Sequence, residues 1–494
     1  MFAAILSFLL ATPPNPRAVV DSAIVAVLHG SPSAPVRSVR LTGIDHTWML
    51  GNAERSEGPW RVFYAQFSEL YDANAGSLRR SEVALSANGN SPTRVTVLAD
   101  SVAAVFSGGR FAGGSHGAFE DLVDRVDGLP LRALRLAAAS SGLSYDRSVS
   151  RYGVDHDVVS FPWRNGRMRI EVSRVTHLPD AVEIFRTYPD NFRWAPFGDI
   201  TMRTDNVDWQ ILSSGAYWPM QQKISLNGQP LRDVTYDLAT LDTAAAPADS
   251  FAVSDSARAQ VAAGSALNFS RFRFGARGQP TELAPGIVRV PDFWAQTLVK
   301  QPDGVVIFES HISASYLHAI LDEVHRRWPG APIKALVMTS DPWAHLGGFR
   351  EAIALGIPIY IHANSVGFLT GVAKSPHTLE PDSLARSRRA PRFIPVSGKT
   401  VIGSGDNRIE LYPVRGASAE RMVMAYFPGR KLLYGADLIF FQRDANGKPT
   451  GRFIERDATD LRHAVAREGL AVDRVFCVQN YEPVLWSDFV GGSP

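Results

Sequence analysis

Thr339-Ser340-Asp341-Pro342-Trp343-Ala344-His345-Leu346-Gly347-Gly348 is the stretch on which the reading of this chain turns, because of what flanks it. Before it runs the apolar segment from Ile333 to Met338, of the length and composition of a strand buried on both faces. After it, residues 347 to 355 read as a helix closed by Gly356, and a third apolar segment follows from Ile357 to Ile361. Upstream, Val305-Val306-Ile307-Phe308 is another continuous apolar run. Tyr316, Leu317, Ile320, Leu321 and Val324 then fall at helical spacing, and Pro329-Gly330 ends that helix. The strand, helix, strand, helix, strand alternation from residue 283 onward predicts a parallel sheet with covered faces, and the quoted stretch is the loop at a carboxyl end of its strands.

The loop resembles the zinc-binding motif of the metallo-β-lactamase superfamily, T-H-x-H-x-D-H-x-G-G, which occupies the same strand-loop-helix position. Thr339, His345, Gly347 and Gly348 match it. Ser340 and Pro342 stand where the family has its first two histidines, and Ala344 where it has its aspartate. The resemblance continues through Met422-Val423-Met424-Ala425-Tyr426-Phe427-Pro428 and Lys431-Leu432-Leu433-Tyr434-Gly435-Ala436-Asp437-Leu438, which look like the hairpin leading to the family's bridging aspartate, Asp437 here. By the same alignment the two remaining histidine positions fall at Ser418 and Asn480. The resemblance implies an αββα sandwich over residues 267–494 and, in family members, a zinc hydrolase. It also implies that His345 and Asp437 alone keep their family identity as metal ligands. A hydrolytic zinc needs three protein ligands and an open position for water, and proline and alanine cannot ligate. No cofactor is therefore expected, and zinc belongs only to an alternative in which the site is rebuilt. In that alternative Asp341, His345 and Asp437, with Asn480, hold one hard cation, and Glu309 and His362 lie on neighbouring strand ends.

The rest of the chain is read by patterning. Between 160 and 240, alternating segments such as Met168-Arg169-Ile170-Glu171-Val172-Ser173 and Val234-Thr235-Tyr236-Asp237-Leu238 predict strands with one wet face. Asn165-Gly166, Asp205-Asn206 and Asn227-Gly228 read as turns, so an antiparallel meander is expected. Residues 117 to 142 carry helical spacing in Phe119, Leu122, Val123 and Val126, then Leu131, Leu134 and Leu136, predicting one or two helices on that sheet. Residues 17–243 thus form a sheet-rich α+β domain, and residues 244–266, rich in Ala and Ser, suit a linker. With Phe197-Gly198-Asp199-Ile200 and Tyr217-Trp218-Pro219 this half resembles the LolA-like lipoprotein-carrier sheets, which implies an apolar or lipid-like ligand. Trp163, Phe192, Trp194, Phe197, Trp209, Tyr217 and Trp218 are the aromatic residues such a face would use, or they are simply core.

Composition closes off other classes. Of 494 residues 45% are hydrophobic and 20% charged, with a net charge of +2, which lacks the clustered basic surface a nucleic-acid partner demands. The one cysteine, Cys477, excludes an internal disulfide and a cysteine zinc site, and its apolar neighbours predict a buried thiol. Residues 1–15 begin with an apolar stretch of the length of a signal-peptide core, so a periplasmic or secreted location is expected, a buried N-terminal helix being the alternative. No later stretch is apolar over enough residues to span a bilayer, so an integral membrane protein is not expected.

Overall fold

The structure is a computed structural model that describes residues 13–29, 36–52, 54–86, 91–107, 109–263, 278–443, 449–479 and 482–491. The expected signal peptide falls outside them except for residues 13 to 15, and Asn480 falls outside as well. The chain divides into two compact units. One comprises residues 1–48, 62–187 and 200–266, and the other residues 49–61, 188–199 and 267–494. Two short excursions from the N-terminal half thus belong to the second unit.

Among the described residues of the first unit, thirteen strands form one sheet, antiparallel at each pairing described. The chain enters at its centre with Ser38–Trp48 and meanders outward to Arg110–Gly113 at one edge. The helices His116–Asp127 and Pro130–Ala139 then carry it to the far edge, Ser144–Arg151, from which it meanders back to Gln229–Asp242 beside the first strand. The helices bury Val123, Val126, Leu131 and Leu134 of the predicted stripe, while Phe119, Leu122 and Leu136 are only half-buried.

Turn chemistry explains where expectation and structure agree or differ. Asn227 and Gly228 both take positive φ, as a two-residue hairpin turn of the primed kind requires. At the expected Asn165-Gly166 turn the central residues are instead Arg164 and Asn165. Gly166 opens the next strand because a Cβ there would lie 2.0 Å from the Phe185 carbonyl oxygen. Asp205-Asn206 is no turn: it lies within Asp199–Ile211, where the buried Asn206 amide donates to the Pro179 carbonyl (2.7 Å) and accepts from Gln222 (2.8 Å). That cross-strand amide ladder outweighs a local turn preference.

The stretch expected to be a linker differs too. Through residue 263 it carries the helix Asp255–Ala262, capped by the Ser254 hydroxyl. Phe251, Val253 and Ala257 pack in one core cluster with Val97, Ala99, Val102 and Ala104. Nor do the aromatic residues line one face, since Phe192, Trp194 and Phe197 belong to the second unit.

In the second unit, seven strands run in the order Thr281–Ala284, Ile287–Val290, Gln296–Gln301, Gly304–Phe308, Ile333–Val337, Ile359–His362, Phe393–Val396. Pairing is antiparallel up to Gly304–Phe308 and parallel beyond it, where the helical crossovers begin. Among the described residues six further strands form a second sheet. Phe308, Val337 and Val396 of the first sheet share a core with Leu411, Phe427, Tyr434 and Phe476 of the second, so the two sheets pack face to face. The helix Glu455–Arg467 covers the outer face of the second sheet with Ala458, Leu461, Ala464 and Val465, packed among Tyr412, Met424 and Cys477. Cys477 is buried, as predicted, and burial pushes its thiol up to about 12. The buried stripe of Ala314–Arg327 is Tyr316, Leu317, Ile320, Leu321 and Val324, residue for residue the predicted one. No helix among the described residues is long and apolar enough to cross a membrane.

Candidate functional site

The quoted loop leaves the strand Ile333–Val337 at its carboxyl end, next to the loop that follows Gly304–Phe308. Two residues of that second loop, Glu309 and Ile312, take positive φ (68° and 74°) without being glycine, a conformation held only when its surroundings fix it. The loops touch so closely that a Cβ on Gly347 would lie 2.1 Å from the Ile312 carbonyl carbon. Glu309 accepts from the Thr339 backbone N–H (3.0 Å) and from the Thr339 hydroxyl, which ties the loops together from within.

His345 ends a short turn, Trp343–His345, and is buried. Its Nδ1 lies 3.4 Å from a Glu309 carboxylate oxygen and its Nε2 lies 3.3 Å from Oδ2 of Asp437. Ser340 donates to the same Asp437 oxygen (3.0 Å) and sits 3.3 Å from His345 Nδ1, while Gln479 donates to the other Asp437 oxygen (3.1 Å). Burial pushes the imidazole pKa down, but Asp437 and then Glu309 outweigh it and hold the ring up at about 9. At neutral pH His345 is therefore an imidazolium between two carboxylates. Ser340, His345 and Asp437 are a serine, a histidine and an acid in mutual contact, and the two carboxylates favour the charged form of the ring.

The other residues singled out by spacing go elsewhere. Asp341 turns away from His345 toward a polar knot of the excursion 49–61. It accepts from the Ser56 hydroxyl (2.8 Å) and lies 3.4 Å from Arg421, which also pairs with Glu57. Burial raises its pKa. Ser418 is drawn to the helix Glu455–Arg467, its N–H and hydroxyl both donating to Asp460 (2.8 and 2.5 Å). His362 accepts from the Asn364 backbone N–H, capping the turn Ala363–Ser365. Pro342 and Ala344 bring no donor, and Trp343 between them is packed over Gly51 and against Phe197, at 4.4 Å between rings.

Whether these residues suit the zinc of the resembling family is a question of donors. His345 could ligate only after losing the proton that two carboxylates hold, roughly 2 pH units above neutrality, or about 3 kcal/mol. Asp341 and Ser418 are committed to other partners. Among the described residues no three of His, Cys, Asp or Glu stand in an arrangement that could hold a metal ion. The donor set does not fit.

Three neighbours lie outside the motif read from the sequence. Trp294 lies 5.3 Å from the His345 ring, His311 lies 6.1 Å from it, and Phe192, from the excursion 188–199, lies 5.9 Å from Trp294.

No protein-family model matches the chain, and no curated protein does either. Among solved structures it is similar to a stereoselective inverting sec-alkylsulfatase from Pseudomonas sp., at 18% identity over 43% of this chain, with a TM-score of 0.31. It spans 39% of that protein's length. It is also similar to metallo-β-lactamases from Pontibacter korlensis (15% identity, 43% of this chain, 95% of that one, TM-score 0.32) and from Erythrobacter litoralis (14%, 43%, 92%, TM-score 0.31). The LolA-like resemblance of the N-terminal half finds no counterpart among these neighbours.

Proposed function

We propose that the C-terminal unit is a metallo-β-lactamase-type αββα sandwich that no longer performs zinc hydrolysis and serves a periplasmic or secreted chain as a binding or structural module. One observation carries this reading: His345, one of the two retained ligand positions, has both ring nitrogens facing carboxylates, Glu309 and Asp437, and Asp437 is the other retained position. By the sequence resemblance both positions correspond to metal ligands, and Ser340 and Gln479 complete the hydrogen bonding of Asp437. The test is elemental analysis of the purified full chain after loading with zinc and removal of the excess. Well under one equivalent is expected, and near-stoichiometric zinc that survives dialysis would overturn the reading.

A further inference from the structure

Residues 383–392 hold four arginines, Arg386, Arg388, Arg389 and Arg392, and no acidic residue. All four are exposed. Arg386 donates to the Pro381 carbonyl and Arg392 to the Gly356 carbonyl (3.4 Å), while Arg389 lies against Gly356, where a Cβ would meet its guanidinium at 2.0 Å. Among the described residues none of the four has a carboxylate within ion-pair distance. The acidic residues just before the run are Glu380 and Asp382, and Arg350 holds Asp382 at 2.5 Å. Arg388 closes the short helix Ser383–Ser387 in the left-handed conformation (φ 52°) that glycine ordinarily supplies at such a place. Its side chain makes no contact that would offset that cost in folding.

The fold sets these arginines along one rim. Ile333–Val337, Ile359–His362 and Phe393–Val396 are neighbouring parallel strands, so the loops 328–332, 356–358 and 388–392 line up at their amino ends, away from the His345 site at the carboxyl ends. The Arg392 carbonyl accepts from the Ile359 N–H (2.9 Å), which fixes the last loop to the middle strand. Elsewhere along the rim charge is balanced: Arg326, Arg327 and Lys334 stand against Asp322, Glu323 and Asp303, and Glu323 and Asp303 are in ion pairs with them. The four arginines are therefore an unbalanced positive patch. Leu355, beside Gly356 in its midst, is exposed, while the aromatic residues of the rim, Trp328 and Phe393, are half-buried rather than offered for base stacking. Guanidiniums take phosphate through two donors each, and an apolar side chain among them suits a headgroup layer better than a polynucleotide. We propose that this rim docks the C-terminal unit on a membrane surface rich in anionic phospholipid, with the arginines on headgroup phosphates and Leu355 at the headgroup boundary. The proposal does not depend on the metal content of the site.

The test is co-sedimentation of the full chain with vesicles of phosphatidylcholine alone and of phosphatidylcholine mixed with phosphatidylglycerol, at low and at high salt. Binding to the mixed vesicles only, lost at high salt, is expected. Arg388→Gly separates docking from folding, because glycine suits the left-handed position: its melting temperature should be unchanged or higher, while its partition onto the mixed vesicles falls about fivefold. Adding Arg389→Gln should bring the loss to roughly 30-fold. Duplex and single-stranded DNA, titrated at the same low salt, should bind more weakly than the mixed vesicles. No binding to the mixed vesicles, equal binding to both kinds of vesicle, undiminished binding by the double variant, or tighter binding to DNA would each overturn the proposal.

Discussion

Asp437→Asn is the sharpest perturbation of the ion cluster, because it keeps the shape of the side chain and removes its charge. A rise of the His345 pKa from 6.5 to about 9, at about 1.4 kcal/mol per unit, corresponds to roughly 3 kcal/mol favouring the charged ring in the folded state. The charge of Asp437 is the largest single favourable contribution, and Glu309 adds both a hydrogen bond and its own charge, so neutralising Asp437 should cost about 1–2 kcal/mol with Glu309 still holding part of the charge. The pH dependence follows from the sign of the shift. A folded pKa raised above the unfolded value stabilises fully below about 6.5 and loses that stabilisation as pH rises through about 9. Urea unfolding of parent and variant should therefore show the full gap at about pH 6, a shrinking gap between, and the smallest gap at about pH 10. A gap of the same size at every pH would refute the imidazolium, and a gap abolished by a chelator would show that Asp437 holds a metal.

Four other outcomes are expected. Gly347→Ala should lower the melting temperature by an amount matching about 1–3 kcal/mol, since the new Cβ meets the Ile312 backbone at 2.1 Å; unchanged melting would mean that the two loops separate freely. Arg421→Met should cost about 1–3 kcal/mol in thermal unfolding by leaving Asp341 buried without its cation, and rescue by Asp341→Asn in the same background is the check. In the first unit, burial works against ionisation of Glu171, but Arg203 and Arg151 outweigh it and hold its pKa down to about 2. That pairing should contribute about 1–3 kcal/mol above about pH 4.5 and lose it as pH falls toward 2, so Glu171→Gln should be destabilised at neutral pH and converge with the parent in acid. Limited proteolysis should be slow between residues 248 and 262, because Phe251, Val253 and Ala257 are anchored in a core; first cleavage there would contradict that packing.

What was legible in the sequence follows from the range over which each feature is specified. The stripe from Tyr316 to Val324 and the run from Val305 to Phe308 are local periodicities, and the structure buries each of those residues. The excursions 49–61 and 188–199 are defined by partners a hundred or more residues away, such as Ser56 with Asp341 and Phe192 with Trp294, and no periodicity within them announces it. Asp205-Asn206 misled for the same reason, its conformation being fixed by Pro179 and Gln222 on neighbouring strands. At the site, the motif marked His345 and Asp437 but gave no sign that Ser340 meets both, and it said nothing of side-chain direction, so Asp341, adjacent in sequence to Ser340, could not be seen turning to Arg421. Glu309 and His311 did leave a signal: polar residues directly after the buried run Val305–Phe308, at the carboxyl end of a strand where such sheets place their sites.

The ion cluster also explains how such a loop can persist under the proposed reading. A divalent ion between loop ends pulls carboxylates and imidazoles together, and losing it would leave Asp437 and Glu309 buried with like charge and nothing between them. Proline at 342 and alanine at 344 remove donors without adding charge, so they make that problem no worse. A protonated His345 then solves it, because one cation between two carboxylates satisfies Coulomb's law at lower charge density than a metal and without a bound water. Ser340 fits the same logic, since a hydroxyl donates to Asp437 where a second imidazole would have to ligate or go unpaired. Position 345 is then constrained by charge rather than by coordination. His345→Lys, given room for the longer chain, should retain more stability than the nearly isosteric but neutral His345→Gln. A metal-ligand role would not favour lysine, which is protonated at neutral pH, so equal or better stability of the glutamine variant would count against the internal cation.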